Sequence, residues 1–152
     1  MGYFDPLQFS KDKSDETISK YREHELKHGR VAMLSMAGIF VEPWFHPLAT
    51  SCHITSVTNP IQAGIELPFA GKAQILGYCA VVELLANYVK KAPGYKAGDL
   101  LGASYYTDEN NPLWISYQEK ELNNGRLAMM AFAGFVAQYF ITGNVNDALF
   151  LK

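Results

Sequence analysis

The sequence predicts an all-α membrane protein with three transmembrane helices, of which the first and third cross and are related by a pseudo-two-fold axis. Three observations lead to this prediction: long segments almost free of charge, a one-sided distribution of lysine and arginine, and an internal repeat. The chain has 152 residues and is 49% hydrophobic and 18% charged, against about 25% charged in ordinary soluble domains. Its net charge of −2 disfavours nucleic-acid binding. We expect one domain over residues 1–152.

The predicted spans cover residues 22–44, 72–90 and 117–141. The third contains most of Leu127–Asn146, 20 residues without an ionisable group other than tyrosine. As a helix this run would be ~30 Å long, the thickness of a bilayer's hydrocarbon core. The second span carries one acid, Glu83, near its middle. Buried helices of a soluble bundle are the alternative explanation for such runs.

The positive residues are sorted to one side of this arrangement. With three spans, eleven of the 13 lysines and arginines fall on the side of the N-terminus, and only Lys72 and Lys152 fall on the other. Membrane proteins show this asymmetry between their two faces. A soluble bundle has no physical reason to sort its cations in this way, so the distribution favours three membrane spans.

The first and third spans are copies of each other. At an offset of 96 residues, Tyr21–Gly38 matches Tyr117–Gly134 at ten of 18 positions. Both copies run in the same direction through the membrane, so an axis along the membrane normal can relate them. The small residues that would let the two helices approach closely are Gly29, Ala32, Gly125 and Ala128.

Each copy contains a glutamate, an arginine five residues later, and a polar side chain between them. The two sets are Glu25, His28 and Arg30, and Glu121, Asn124 and Arg126. Residues five apart lie ~140° apart around a helix, so the glutamate and arginine of one copy do not face each other. A lone ion in a membrane span costs at least ~2.5–3.5 kcal/mol, so each needs a partner. We therefore predict that Glu25 pairs with Arg126 and that Arg30 pairs with Glu121.

His28 and Asn124 occupy equivalent positions beside these charges. Imidazole, amide and carboxylate side chains can each give one axial lone pair to a metal. Single donors spread along helices suit a metallated macrocycle better than a bare ion. Gln74, Glu83 and Gln138 extend the set of polar groups in the spans. Any one of these groups could instead simply form a hydrogen bond with a neighbouring group. For Gln74 this alternative explains the residue as well as a ligand role does.

At these residues the sequence resembles the light-harvesting chlorophyll-binding antenna family, whose signature is the doubled motif in the first and third helices. The resemblance implies that chlorophyll magnesium is bound by Glu25, His28, Glu121, Asn124 and Gln138, and less securely by Gln74 and Glu83. It implies that Arg30 and Arg126 support these ligands through interhelix ion pairs. Asp5 and Pro6 resemble part of a segment that seats a carotenoid end, and residues 144–149 resemble its weaker counterpart.

The resemblance also implies the cofactors, partners and location. We expect chlorophyll a, a second chlorophyll that is c rather than b or is absent, and carotenoids or xanthophylls. Expected partners are a photosystem I or II core, neighbouring antenna subunits and thylakoid lipids, in the plastid thylakoid membrane. No enzymatic activity is expected. The short connections and the His-Gly-Arg sequence at residues 28–30 are similar to red-lineage antennae.

Two other functions are compatible with parts of the pattern. A photoprotective member of the same family would bind pigments in order to dissipate energy. A diiron or dimanganese helical-bundle oxidase uses Glu-x-x-His, which Glu25 and His28 form, but Glu121 is followed by Asn124 where a second histidine is required. His46 and His53, in the first connection, could bind pigment or simply lie at the surface.

Overall fold

The structure is a computed structural model that describes residues 8–41, 45, 60–103, 106–107 and 111–143. These residues contain four α-helices and no strand. In chain order the helices are α1 (Asp15–Val41), α2 (Pro60–Glu66), α3 (Phe69–Val89) and α4 (Pro112–Thr142). The all-α class predicted from the sequence is confirmed for this part of the chain.

Side-chain caps mark the starts of the two long helices, and a glycine marks the end of α4. At the start of α1, Ser14 Oγ accepts a hydrogen bond from the Thr17 backbone N–H at 3.4 Å. At the start of α4, Asn111 Oδ1 accepts from the Leu113 N–H at 3.0 Å, and Pro112 occupies the first turn. Gly143, with φ of 68°, ends α4 in the left-handed conformation that glycine adopts without strain.

The helices extend beyond the predicted spans. Helix α1 begins at Asp15 rather than residue 22, and α4 begins at Pro112 rather than residue 117. The added residues 15–21 of α1 are mostly polar, so hydropathy does not register them. The added residues 112–116 of α4 are mostly apolar, but the charged segment 117–126 separates them from the apolar run. The caps mark the start of both helices. Helix α2, in the first connection, was not predicted. Residues 42–44 at the end of the first predicted span lie outside the described residues.

Helices α1 and α4 pack against each other through glycine. A Cβ atom placed on Gly29 would lie 3.0 Å from Gly125 Cα, and one placed on Gly125 would lie 3.0 Å from Gly29 Cα. Further along, Ile39 and Phe135 form a small buried cluster. Both contacts join residues 96 apart, so the two helices run in the same direction. The contact is reciprocal at this point, and two-fold symmetry of the whole helices stays a prediction.

Helix α3 stands largely apart from this pair. Ala86 is its buried residue, and only 6% of its most apolar window is buried within the protein. Among the described residues it is the one helix long and apolar enough to cross a membrane by length and composition. A core helix of a soluble protein would be mostly buried. The crossing of the membrane by α1 and α4, and hence the three-span topology, stays a prediction.

Candidate functional site

Two arginine–glutamate pairs join α1 and α4 beside the glycine contact. Arg30 Nε lies 2.7 Å from Glu121 Oε1, and Arg126 Nε lies 2.6 Å from Glu25 Oε1. These are the two interhelix pairs that the repeat predicts. Because each charge meets its partner across the helix contact, the two helices together carry four ionised groups without local net charge.

Each of these carboxylates keeps one oxygen that its arginine does not contact. Both arginines bind Oε1. Oε2 of Glu25 lies 3.8 Å from Arg22 Nη1, which is too long for a hydrogen bond. For Glu121, the contacts among the described residues involve Oε1 alone. A charge-neutralised carboxylate with a free oxygen can act as a single metal donor.

The imidazole of His28 has its donor and acceptor nitrogens assigned by the helix itself. Nδ1 lies 2.8 Å from the backbone carbonyl oxygen of His24, one turn earlier. A carbonyl oxygen only accepts, so Nδ1 is the hydrogen-bond donor, and the neutral imidazole with its proton on Nδ1 keeps a lone pair on Nε2. Asn124, the equivalent residue on α4, is also exposed and makes no side-chain hydrogen bond within the described part of the chain. Both positions therefore present, at the helix surface, an atom whose lone pair is available to a metal.

The two glutamines predicted as ligands lie away from this centre. Gln74 is exposed near the start of α3, and Gln138 is half-buried in the last turns of α4. Neither side chain forms a hydrogen bond in the ranges that the structure describes, so both amide oxygens are available to a ligand. Their ligand roles stay predictions.

Glu83 has a different environment from the other two glutamates. Lys27 Nζ donates to both of its oxygens, at 2.9 Å to Oε1 and 2.8 Å to Oε2. A lysine ammonium on both oxygens competes with a metal for the same lone pairs. The ligand role of Glu83 stays a prediction, and this ion pair gives the residue a second function in holding α3 to α1.

A second ion pair joins the C-terminal end of α3 to α1. Lys90 Nζ lies 2.5 Å from Glu23 Oε1. The partners of Glu23 and Lys27 on α3 occur in reverse chain order, so α3 runs antiparallel to α1. Sequence reasoning did not identify Glu23, Lys27 or Lys90. The available signal was the four-residue spacing of Glu23 and Lys27, which puts them on one face of α1.

The segment between α3 and α4 packs over the charged centre. It lines an open pocket of about 520 Å³ whose walls include Leu26 and Arg30 from α1 and Trp114 and Glu121 from α4. Arg30 Nη1 donates to the Gly98 carbonyl oxygen at 2.8 Å. Gly98 was not singled out from the sequence, because its role depends on how this segment folds back.

Several predicted positions fall outside the described residues. They are Asp5 and Pro6, His46 and His53, and residues 144–149. In the described ranges, no three or more histidine, cysteine, aspartate or glutamate side chains form a group that could hold a metal ion. A diiron or dimanganese site needs such a group, and the carboxylates of Glu25 and Glu121 each face an arginine instead.

Comparison with known proteins gives an independent result. Residues 1–140 match the protein family described as Chlorophyll A-B binding protein. The chain is 34% identical over 159 residues to a chloroplastic fucoxanthin-chlorophyll a-c binding protein of Isochrysis galbana, covering 95% of this chain and 74% of that protein. It is 31% identical over 162 residues to fucoxanthin-chlorophyll a-c binding protein F of Macrocystis pyrifera, covering 98% and 76%. It is 34% identical over 161 residues to chlorophyll a-b binding protein P4 of Pisum sativum, covering 92% and 60%.

Proposed function

Since the chain belongs to the chlorophyll a-b binding protein family, a family of light-harvesting antenna proteins, we propose that it binds chlorophylls and carotenoids and passes excitation energy to a photosystem. The observation that carries this proposal is the reciprocal pairing of Arg30 with Glu121 and Arg126 with Glu25. It neutralises two carboxylates between α1 and α4 while leaving each an oxygen for a ligand. Bound pigments absorb the light; the protein sets their positions and local fields.

The donor set suits one magnesium per side chain. Glu25, Glu121, His28 and Asn124 each offer a single unshared atom, and none lies in a group that could enclose a bare ion. A macrocycle already supplies four donors to its magnesium, so one axial protein atom completes the site. We assign these four residues as chlorophyll ligands, and add Gln138, with Gln74 and Glu83 as the weaker candidates.

The protein crosses the thylakoid membrane of a plastid with α1, α3 and α4. Support comes from the exposed apolar surface of α3, which needs a cover that the described chain does not supply. On α1 and α4 the innermost charges are paired, which lowers the cost of placing them in the membrane. Pigments and thylakoid lipids would cover the remaining apolar faces.

The pigments proposed are chlorophyll a, chlorophyll c and carotenoids of the fucoxanthin type. The relatives from Isochrysis galbana and Macrocystis pyrifera are fucoxanthin-chlorophyll a-c binding proteins. Relatives from Pisum sativum and Arabidopsis thaliana are chlorophyll a-b binding proteins, and the chain spans 60% of each. The partners proposed are a photosystem core and neighbouring antenna subunits.

A second function within the family is energy dissipation. It uses the same pigment sites, and the fluorescence lifetime of the pigmented protein separates the two functions. A long-lived chlorophyll excited state indicates harvesting, whereas a strongly shortened one in the isolated protein indicates dissipation.

The proposal is tested by folding the chain in detergent with a mixture of chlorophylls a, b and c and carotenoids. After purification, we expect retained chlorophyll a with chlorophyll c in preference to b, and energy transfer from carotenoid to chlorophyll in the excitation spectrum. A colourless folded protein, or one that instead retains two iron ions, would overturn the proposal. Retention of chlorophyll b in place of c would overturn the pigment assignment alone.

A further inference from the structure

The segment at residues 96–103 forms one wall of the pocket that adjoins Glu121. The other walls come from α1 and α4, so three parts of the chain line this open pocket. Within the segment, Gly98 hydrogen-bonds to Arg30 of α1 and to Tyr95.

Three hydrogen bonds hold Gly98 in place, one of them from the Leu100 N–H to its carbonyl oxygen at 3.2 Å. Its carbonyl oxygen accepts from Arg30 Nη1 at 2.8 Å, and its N–H donates to the hydroxyl of Tyr95 at 3.2 Å. Its φ is +87°, a region that residues with a side chain rarely adopt. A Cβ atom at this position would lie 2.5 Å from Leu26 Cδ1. Only glycine therefore fits without moving α1's side chain or the segment.

Arg30 connects Gly98 to the carboxylate of Glu121. Its Nη1 binds the Gly98 carbonyl while its Nε binds Glu121 Oε1 at 2.7 Å. The guanidinium is planar and its N–H directions are fixed relative to one another. Two partners in different directions therefore define its orientation, in which Nε contacts one oxygen of Glu121 and leaves the other without an arginine contact.

We propose that Gly98 is a positioning residue of the pigment site at Glu121, because its carbonyl orients Arg30 so that Oε2 of Glu121 remains free to bind magnesium. This inference rests on the proposed function. It assigns to the segment between α3 and α4 a direct influence on one pigment, in addition to lining the pocket.

Gly94 provides a matched control. It lies in the same connection and has a φ of +83°, so alanine there suffers the same backbone strain. No atom lies within 4 Å of the position where its Cβ would be. A difference between Gly98→Ala and Gly94→Ala therefore reports the contacts with Leu26 and Arg30 and not the strain of a left-handed alanine.

The experiment compares these variants in the pigmented protein, alone and combined with Glu121→Leu. We expect Gly98→Ala to shift the red chlorophyll absorption band and to lower retention of the pigment that Glu121→Leu removes. Gly94→Ala should do neither. In the Glu121→Leu background, Gly98→Ala should add no further spectral change. Backbone hydrogen exchange across residues 96–103, measured on the same samples, should rise in Gly98→Ala.

Leu26→Ala supplies a rescue. Added to Leu26→Ala, the Gly98→Ala change should have no more effect than Gly94→Ala, because the clashing methyl group is gone. Equal spectra for Gly98→Ala and Gly94→Ala, or an undiminished shift without the Glu121 carboxylate, would overturn the inference while leaving pigment binding intact. Failure of the unaltered protein to retain any chlorophyll would instead overturn the proposed function.

Discussion

At the residue scale, His28 and His24 are one helical turn apart and differ in what they offer. The His24 backbone carbonyl accepts from Nδ1 of His28, and this leaves Nε2 of His28 free. Only the main chain of His24 takes part, so its side chain is dispensable for this arrangement.

We therefore expect His28→Leu to lose one chlorophyll per protein and His24→Leu to lose none. Pigment extraction from the two purified variants, normalised to protein, measures the difference. Equal pigment content in both would show that His28 is not a ligand.

The carboxylate of Glu25 depends on Arg126. Arg126→Leu removes the contact at 2.6 Å and leaves a carboxylate without its partner, and a lone charge in a span costs at least ~2.5–3.5 kcal/mol. We expect loss of the pigment at Glu25 and a lower melting temperature. Arg22→Leu is the control, because Arg22 Nη1 is 3.8 Å from Glu25 Oε2. Unchanged pigment content and melting in Arg126→Leu would refute the dependence.

At the scale of elements, the approach of α1 to α4 depends on two glycines. A Cβ on Gly29 would meet Gly125 Cα at 3.0 Å, and a backbone atom cannot rotate away as a side chain can. The charged pairs lie beside this contact, so the separation of the helices also controls the reach of the arginines.

Gly29→Ala should thus destabilise the protein by about 1–3 kcal/mol, the usual cost of overpacking. Gly38→Ala, on the same helix with nothing within 4 Å of its Cβ position, should be neutral or stabilising because alanine favours a helix by about 1 kcal/mol over glycine. Thermal melting followed by circular dichroism in detergent compares them. The same melting temperature for both variants would contradict the close contact.

Helix α3 is held to α1 by Lys27–Glu83 and Glu23–Lys90. We expect Lys27→Glu to loosen α3, because two carboxylates then face each other, and to increase its hydrogen exchange. The charge swap Lys27→Glu with Glu83→Lys should restore protection of α3.

The swapped variant also tests the ligand role of Glu83. A lysine at position 83 cannot bind magnesium, so a lost pigment in the swapped variant identifies Glu83 as a ligand. If the swapped variant keeps every pigment and restores the slow hydrogen exchange of α3, Glu83 serves the ion pair alone. If Lys27→Glu does not increase the hydrogen exchange of α3, the Lys27–Glu83 ion pair does not hold α3 to α1.

At the scale of the whole molecule, the described helices bury few large apolar side chains. The buried hydrophobic residues are Ala32, Ile39, Ala63, Ala86 and Phe135, whereas α3 exposes several large side chains such as Leu76 and Leu84. A protein in water rarely exposes so much apolar surface. The surface is consistent with a surrounding of lipid and pigment.

Three spans predict that the N-terminal segment and the α3–α4 connection lie on one side of the membrane, opposite α2. Single cysteines at Lys13, Lys96 and Gln62, introduced with Cys52 and Cys79 replaced, can be labelled in sealed vesicles with an impermeant reagent. We expect the first two to be labelled from the same side and the third only from the other. Labelling of all three from one side would exclude the three-span topology.

From the sequence alone, the helical class, the copied helices and both arginine–glutamate pairs could be predicted. An exact offset of 96 residues relates the two copies, and unpaired charges in a span are too costly, so each ion had one partner available. The additional first turns of α1 and α4 and the short helix α2 were not predicted, because they depend on caps and local turns that hydropathy does not detect.

Only the tertiary structure decided which face of α3 meets α1, and therefore that Lys27 and Lys90 act as its tethers. Helix α3 has no copy in the chain, so no symmetry argument determined its rotation. The same holds for Gly98, whose contacts with Arg30 and Leu26 arise from the path of an irregular segment. The sequence determined the contacts that follow from repetition and charge balance, whereas contacts that depend on helix rotation and loop path required coordinates.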